Sequence, residues 1–555
     1  LTSWRKFTIP NTDKLPKKRH SHYSQRSRPL PTVVEATRDY GDHYYDNSGR
    51  LRLVPVRPFN PMVADFRLDD APKINAPVHA PLDQLGPVLS QQVPVVTGND
   101  FESMLAAFNK RCNFHSDERV CPSIVKEAKR LASLVFPKME AFDWTQDIYD
   151  RWVSKFPPEK QYRMAAAISN LHDVDFRTLN TKSLMVKGEV LLKRNDHSWA
   201  PRVIYVGSDE YNVLTGPLMD EFNKRLSCAL DEFSDINVEK VIFAYTKQDV
   251  DIANALAGCE RYVEGDYSAN DKSQLMDVHE IFAHWLKCSG APLWFRRFYI
   301  ANSRSFRVRS YDYGVSATIY NQLATGGTDT TGRNTVWNLC LWWSFVRKQK
   351  YVKTRAAVLG DDLAGGVGEG FDLEAWKVHC ASAGMKLTCS HRRFYCDLTF
   401  LSRFFIPAGV EDCMVPLIGK ALCRFNARAN RNQDVTDEEY MCGKALSYAY
   451  EFRHVAYMRD AFLERARRTG ISFDNVNLHD LTWFAKQGVK SVSDVCRAIV
   501  NEPLVLSDDE FLDVIMAKYD IGLFDMDELR DKLILSDVVE TFSDERYYKF
   551  EHEVA

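Results

Sequence analysis

Apolar residues at Leu275, Val278, Ile281, Phe282, Trp285 and Leu286 recur every three or four positions. That spacing lays one apolar stripe along a helix. Just upstream, "RYVEGDYSANDKSQ" (261–274) reads as a short strand running into that helix. "TGRNTVWNLCLWWSFVRKQ" (331–349) predicts another helix, whose "LCLWWSFV" run is core material rather than a base-stacking surface. "RAAVLGDDLAGGV" (355–367) reads as strand, tight turn, strand, with Gly365 and Gly366 marking a close backbone approach. Residues 183–206 alternate in polarity and predict two strands around a turn, while 101–112, 122–136 and 216–230 are helical in period. Beyond residue 425 the pattern is mostly helical. Residues 1–95 have little periodicity and many prolines, as in "VPVRPFNPMVADF" and "INAPVHAPLDQLGP", and read as extended chain draped over other elements. Runs of strand and helix without a repeating unit predict an α+β protein.

Composition narrows this picture. At 555 residues and 45% hydrophobic content, the chain can bury several lobes and is not a disordered polymer. No run of eighteen apolar residues predicts a membrane span, and no leader opens the sequence. Thirteen scattered cysteines read as reduced thiols. The net charge of −3 conceals a basic first thirty residues and an acidic last fifty. A basic arm suits a polyanion. The start at Leu1 rather than Met suggests a segment of a larger polyprotein or replicase.

Three short elements carry candidate chemistry: Asp266-x4-Asp271, then "TGGTDTTGRNT" (325–335), then Gly360-Asp361-Asp362. Each alone is commonplace, since aspartates cap helices and GDD makes turns. Their order is less so. In-line nucleotidyl transfer is served by two divalent ions, Mg²⁺ or Mn²⁺, held by a few carboxylates. Asp266 at a strand end and Asp361 on a hairpin tip could share such ions, with Asp362 as a third acid. Asp271 is then free to bind a ribose 2′-hydroxyl with Asn334 and Thr330. Thr325 and Gly326 suit a flexible loop at a helix N-terminus, against the template backbone or the incoming base pair. A zinc set from His379, Cys380, Cys389, His391 and Cys396 is a weaker reading, because it lacks a CxxC knuckle.

"DYSANDKSQ", "TGGTDTTGRNT" and "LGDD" resemble motifs A, B and C of viral RNA-dependent RNA polymerases, most closely the alphavirus-like and nodavirus-like groups of positive-strand viruses. "KFPPEKQ" (155–161) resembles motif G, and "KRNDHSWAPRVIYVG" (193–207) resembles motif F. "GMKLTCSHRRFYCDLTFLSR" (384–403) resembles the motif D to E connection, with "FLSRFF" as the primer grip. The resemblance spans roughly 150–430. It implies a right-hand fold of fingers, palm and thumb with an antiparallel palm sheet backed by helices.

The implied division is an N-terminal segment 1–95, fingers 96–260, palm 261–300, a fingers insertion 301–325, palm 326–428, and a helical thumb with acidic terminus 429–555. It further implies Lys193, Arg194 and Arg202 on the triphosphate, Lys386 as general acid for pyrophosphate, and Arg403 near the primer strand. The expected partners are RNA template, nascent strand and NTPs, with other replicase regions or a membrane replication complex in the host cytoplasm. Homo-oligomerisation stays open. The motif B serine is Thr325 here, which keeps the hydroxyl but stiffens χ1. A reverse transcriptase is the alternative enzyme, although it would place a bulky gate at Asp271. An inactive RNA-binding scaffold is the non-enzymatic alternative. The N-terminal segment is expected to tie fingers to thumb.

Overall fold

In the computed structural model the described residues are 61–68, 83–89, 101–187, 200–349, 353–408, 411–428, 435–476, 481, 491–504 and 506–553, with short strand segments at 43–45, 51–53, 94–96 and 190–192. The elements that position the site, in chain order, begin with β1 (Ala64–Leu68), β2 (Thr181–Val186), β3 (Val203–Val206) and helix α1 (Asp209–Asp231). Next come β4 (Val238–Phe243), β5 (Arg261–Tyr267), α2 (Met276–Cys288), β6 (Ser305–Ser310) and β7 (Val315–Tyr320). Then follow α3 (Thr330–Val346), β8 (Thr354–Leu359), β9 (Asp362–Val367), β10 (Leu387–Arg392) and α4 (Ile418–Phe425). The architecture is mixed α+β.

Two five-stranded sheets dominate. The central sheet runs β4-β8-β9-β5-β10. Its pairs are antiparallel except at one edge, where β4 runs parallel to β8. The all-antiparallel expectation therefore fails at that edge. β4 and β8 are separated by a long excursion that includes α3, which is the kind of connection a parallel pair requires. The second sheet runs β1-β7-β6-β2-β3. The region expected as two strands holds three, because Val190–Leu192 forms a separate strand paired with Pro94–Val96.

The central core lies between the sheet and its helices. Every residue of α3 from Gly332 to Val346 is buried, which explains why its apolar residues lie on all sides while Arg333, Asn334, Thr335 and Asn338 are buried polar groups. Trp342 stacks on Phe371 at 5.4 Å and meets Trp376 edge-on at 5.2 Å. The aromatic mass dictates the glycines opposite it: a Cβ on Gly365 would stand 2.9 Å from Trp342, and one on Gly265 2.7 Å from Trp376. A separate core fills the C-terminal region from Phe404 onward, where helices Asp437–Glu451 and Ala456–Arg468 pack together. Phe550, near the acidic end, stacks on Tyr519 at 4.3 Å within it.

The N-terminal stretch is stitched into both regions. β1 extends the second sheet antiparallel to β7. Asp83–Gln84 pairs with Ala427–Arg428, and Val88–Leu89 pairs with Thr541–Phe542. Leu89 is buried in the C-terminal core. Asn426 donates to the Pro87 carbonyl at 2.9 Å and to the Leu533 carbonyl at 2.8 Å.

Candidate active site

The β8–β9 hairpin turns on Gly360 and Asp361, with Leu359 opposite Asp362. Gly360 has φ +65°, in the left-handed region where a side chain is strained. Helix α3 clamps this turn from below. The Gly360 N–H donates to the Thr335 hydroxyl at 2.8 Å. The Asn338 amide donates to the carbonyls of Gly360, Asp361 and Asp362 at 3.3, 3.0 and 3.3 Å. Asn338 escaped the sequence reading, because its position looked like part of an apolar run. Buried polar residues within that run were the only signal.

β9 pairs with β5 through Gly265 and Leu363, which puts Asp266 beside the hairpin tip. Burial, then repulsion from Asp271 and Asp266, pushes the Asp361 carboxyl up to about 6. Burial, then repulsion from Asp361 and Asp266, pushes Asp362 up to about 7. Arg202 opposes the first shift and Lys420, on α4, opposes the second. Lys420 also escaped the sequence reading. Its ammonium donates to the Ser402 hydroxyl at 2.7 Å. Burial, then Arg424, holds Lys420 below the ordinary lysine range. Two buried carboxyls raised by neighbouring negative charge form a donor set whose repulsion oxygen-seeking divalent cations would relieve. Among the described residues no three His, Cys, Asp or Glu side chains already stand together as a metal cluster. That holds for these aspartates and for the cysteine-histidine set alike. Cys380 is buried against the Tyr267 hydroxyl at 3.8 Å, and His379 bonds Ser344 at 2.8 Å.

A second cluster adjoins the acids. Asp271 accepts from the Asn334 amide at 2.7 Å on one oxygen and from the Thr325 hydroxyl on the other. Asn334 in turn accepts from Gln274 at 2.5 Å, Gln274 accepts from Arg333 at 2.7 Å, and Arg333 donates to the Tyr299 hydroxyl at 3.1 Å. Gln274 and Arg333 are each 1% exposed. The order is directional. Arginine can only donate and an ionised carboxylate can only accept, so both amides between them have one orientation.

The sequence reading made Thr330 a ribose-selecting candidate beside Asp271 and Asn334, and gave Thr325 to the template backbone or the incoming base pair. In the structure it is Thr325 whose hydroxyl reaches Asp271, while Thr330 starts α3 and donates to the Ala324 carbonyl at 3.2 Å. An N-terminal helix position turns that hydroxyl back on its own loop. Gly326, at φ +92°, lies against β3, where a Cβ would stand 2.7 Å from the Ile204 side chain.

Arg403 requires a correction. It is 2% exposed, paired with Glu451 at 3.2 Å and Asp249 at 3.6 Å. Arg453 shares Asp249 and is paired with Glu502. A guanidinium enclosed by carboxylates of its own chain is not presented to a nucleic acid. Lys386 is exposed just before β10, its carbonyl accepting from the Ser268 N–H at 3.0 Å, so it lies beside the Asp266 end of β5. Arg202 is exposed at the start of β3. Lys193 and Arg194 lie outside the described residues.

The profile of a family described as RNA dependent RNA polymerase matches residues 59–481, most of the chain. No curated protein matches it.

Proposed function

The chain belongs to the RNA-dependent RNA polymerase family, a class of viral nucleotidyltransferases that replicate RNA, and from that premise we propose how its residues divide the reaction. Asp266 and Asp361 hold the catalytic divalent ions, Mg²⁺ or Mn²⁺, with Asp362 assisting. Bound there, such ions supply charge neutralisation at the attacking and leaving oxygens of an in-line displacement. Asp271 receives the ribose 2′-hydroxyl of the incoming NTP, with Asn334 and Thr325 fixing its carboxylate. Arg202 contacts the triphosphate, joined by Lys193 and Arg194. Lys386 protonates the departing pyrophosphate. Thr330 supports the loop rather than the sugar.

The central sheet is read as the palm, the second sheet with α1 as fingers, and the C-terminal helices as thumb. The boundaries 96–260, 261–300, 301–325, 326–428 and 429–555 follow that division. The nodavirus-like character of the motifs supports a positive-strand virus. Replicase regions beyond this chain, at host cytoplasmic membranes, would be its partners. No helix among the described residues is long and apolar enough to cross a membrane.

The observation that carries this reading is the glycine-turned Asp361–Asp362 hairpin, pinned by Thr335 and Asn338 next to Asp266. Primer extension tests it. The chain, an RNA primer–template, four NTPs and Mg²⁺ or Mn²⁺ should yield extended product, and Asp361→Ala should yield none while still binding RNA. A normal elongation rate in the variant would overturn the assignment. Extension from deoxyribonucleotides as readily as from ribonucleotides would favour a reverse transcriptase.

A further inference from the structure

One face of the second sheet is closed by a core that includes Leu184, Val203, Phe306, Val308, Val315 and Ile319. Among the described residues the opposite face exposes Arg67, Arg307, Arg309, Met185 and Val206, and strand register fixes how they are arranged. Arg309 on β6 lies opposite Ser316 on β7, which lies opposite Arg67 on β1. On its other side Arg309 faces Ser183 of β2, which faces Val206 of β3. One row along, Arg307 lies between Thr318 and Thr181. Arg67, Arg307 and Arg309 are exposed, and none has a carboxylate partner among the described residues. Two acids are near. Asp65 accepts from the Thr318 hydroxyl at 3.2 Å, and Asp312 sits in the β6–β7 turn. Tyr311, also in that turn, is 62% exposed, with the Arg309 guanidinium 4.8 Å above its ring.

This face is continuous with the active site. Met185 of β2 is 52% exposed and pairs with Ile204 of β3, the residue against which Gly326 is seated. The Tyr205 N–H donates to the Thr325 carbonyl at 2.8 Å. The loop that reaches Asp271 therefore abuts the β3 edge of the same face. Arg307 and Arg309, two residues apart on one strand, are separated by about 6.8 Å, and the face spans about 19 Å from β3 to β1.

We propose that this exposed face is a track for single-stranded RNA: the uncopied part of the template, with phosphates on Arg309, Arg307 and Arg67 and a base stacked on Tyr311. Arginine forks suit phosphate, serine and threonine hydroxyls add neutral donors, and an aromatic ring takes any base. The proposal rests on the polymerase reading, which supplies a template strand that must reach the site uncopied.

The test uses the full chain and Arg307→Ala/Arg309→Ala, both positions being exposed. Affinity is measured across a salt series for two primer–templates, one with a 5′ template overhang of roughly ten nucleotides and one of roughly two. For the long overhang the double variant should bind more weakly, with a log–log salt slope shallower by roughly 1.4, because two phosphates of the single strand keep their counterions. The weakening should be confined to that substrate. Equal slopes on the long overhang, or an equal weakening on the short one, would overturn the track. So would intact RNA slopes with abolished binding to anionic vesicles, since the face would then be a lipid contact. If the parent shows the overhang dependence but extends no primer, the track stands and the polymerase reading fails.

Discussion

The proposed ribose recognition rests on one carboxylate, Asp271, whose surroundings leave it little freedom. The chain Arg333–Gln274–Asn334–Asp271 begins with a group that only donates and ends with one that only accepts. Gln274→Glu keeps the size and the bond from Arg333 but sets an acceptor against the Asn334 carbonyl oxygen. Asn334 should then turn its amide and withdraw its donor from Asp271. The expected outcome is a fall of about tenfold or more in preference for ribo- over deoxyribonucleotides, the scale of one hydrogen bond to a charged group. Steady-state incorporation of each sugar reads it, and an equal loss for both would reduce Gln274 to a packing role. Asp271→Ala should lower the same ratio further, and by more than it shifts Mg²⁺ dependence, which it touches only through its charge beside Asp361.

His279 offers a pH prediction away from the acids. It is fully buried, and burial, then Arg333 and Arg304, holds it well below the ordinary histidine range. Below pH 6.5 only the unfolded chain takes up this proton, so its contribution falls as pH falls and is complete above about pH 7. Relative to His279→Gln, the parent should lose about 1 kcal/mol of stability between pH 6.5 and 5.5. Urea midpoints at those two values check it.

At the scale of elements, the path from β5 into the helix Asn270–Ser273 passes through Ala269 at φ 52°, ψ 43°. This left-handed residue turns the chain between Asp266 and Asp271, and an alanine there is strained by about 1 kcal/mol. Ala269→Gly should raise the melting temperature by a few degrees at most. An unchanged or lower value would mean that glycine's gain in unfolded freedom outweighs the relieved strain. Asn338→Leu tests the other element contact. Helix α3 would persist, but three hairpin carbonyls would lose their donor. Extension rate should drop while RNA affinity holds, since the turn carries Asp361. Parent-like turnover would show that the hairpin keeps its shape unaided.

Across the whole molecule, the carboxylate–arginine knot joins regions far apart in sequence. Arg403, Arg453, Asp249, Glu451 and Glu502 converge where the sheet-side helix Asp249–Leu256 meets the C-terminal helices. Removing one partner of a buried pair leaves a charge without compensation, at a cost of about 3–5 kcal/mol. Arg403→Ala should therefore lower the unfolding midpoint sharply, while the folded fraction binds primer–template with parental affinity. Weakened affinity in a stably folded variant would return Arg403 to the RNA. The N-terminal strap acts at the same scale, since strand pairs bind it to the second sheet and to the C-terminal core. Its proline-rich, aperiodic sequence signalled extended chain, but nothing local could name its partners.

The sequence by itself determined the local elements and the types of chemistry. The period of 275–286 and the strand–turn–strand at 355–367 were legible because side-chain periodicity and the needs of a glycine turn are properties of neighbouring residues. So was the choice of Asp266, Asp271, Asn334, Asp361 and Asp362 as candidate site residues, from composition in order along the chain. Only the tertiary structure decided which hydroxyl meets Asp271, that Asn338 holds the hairpin and Lys420 stands near Asp362, and that Arg403 is spent on its own chain's carboxylates. These are pairings between residues tens or hundreds of positions apart. They are set by sheet register, by helix rotation and by which charges burial forces together, and none of these is written in a local pattern.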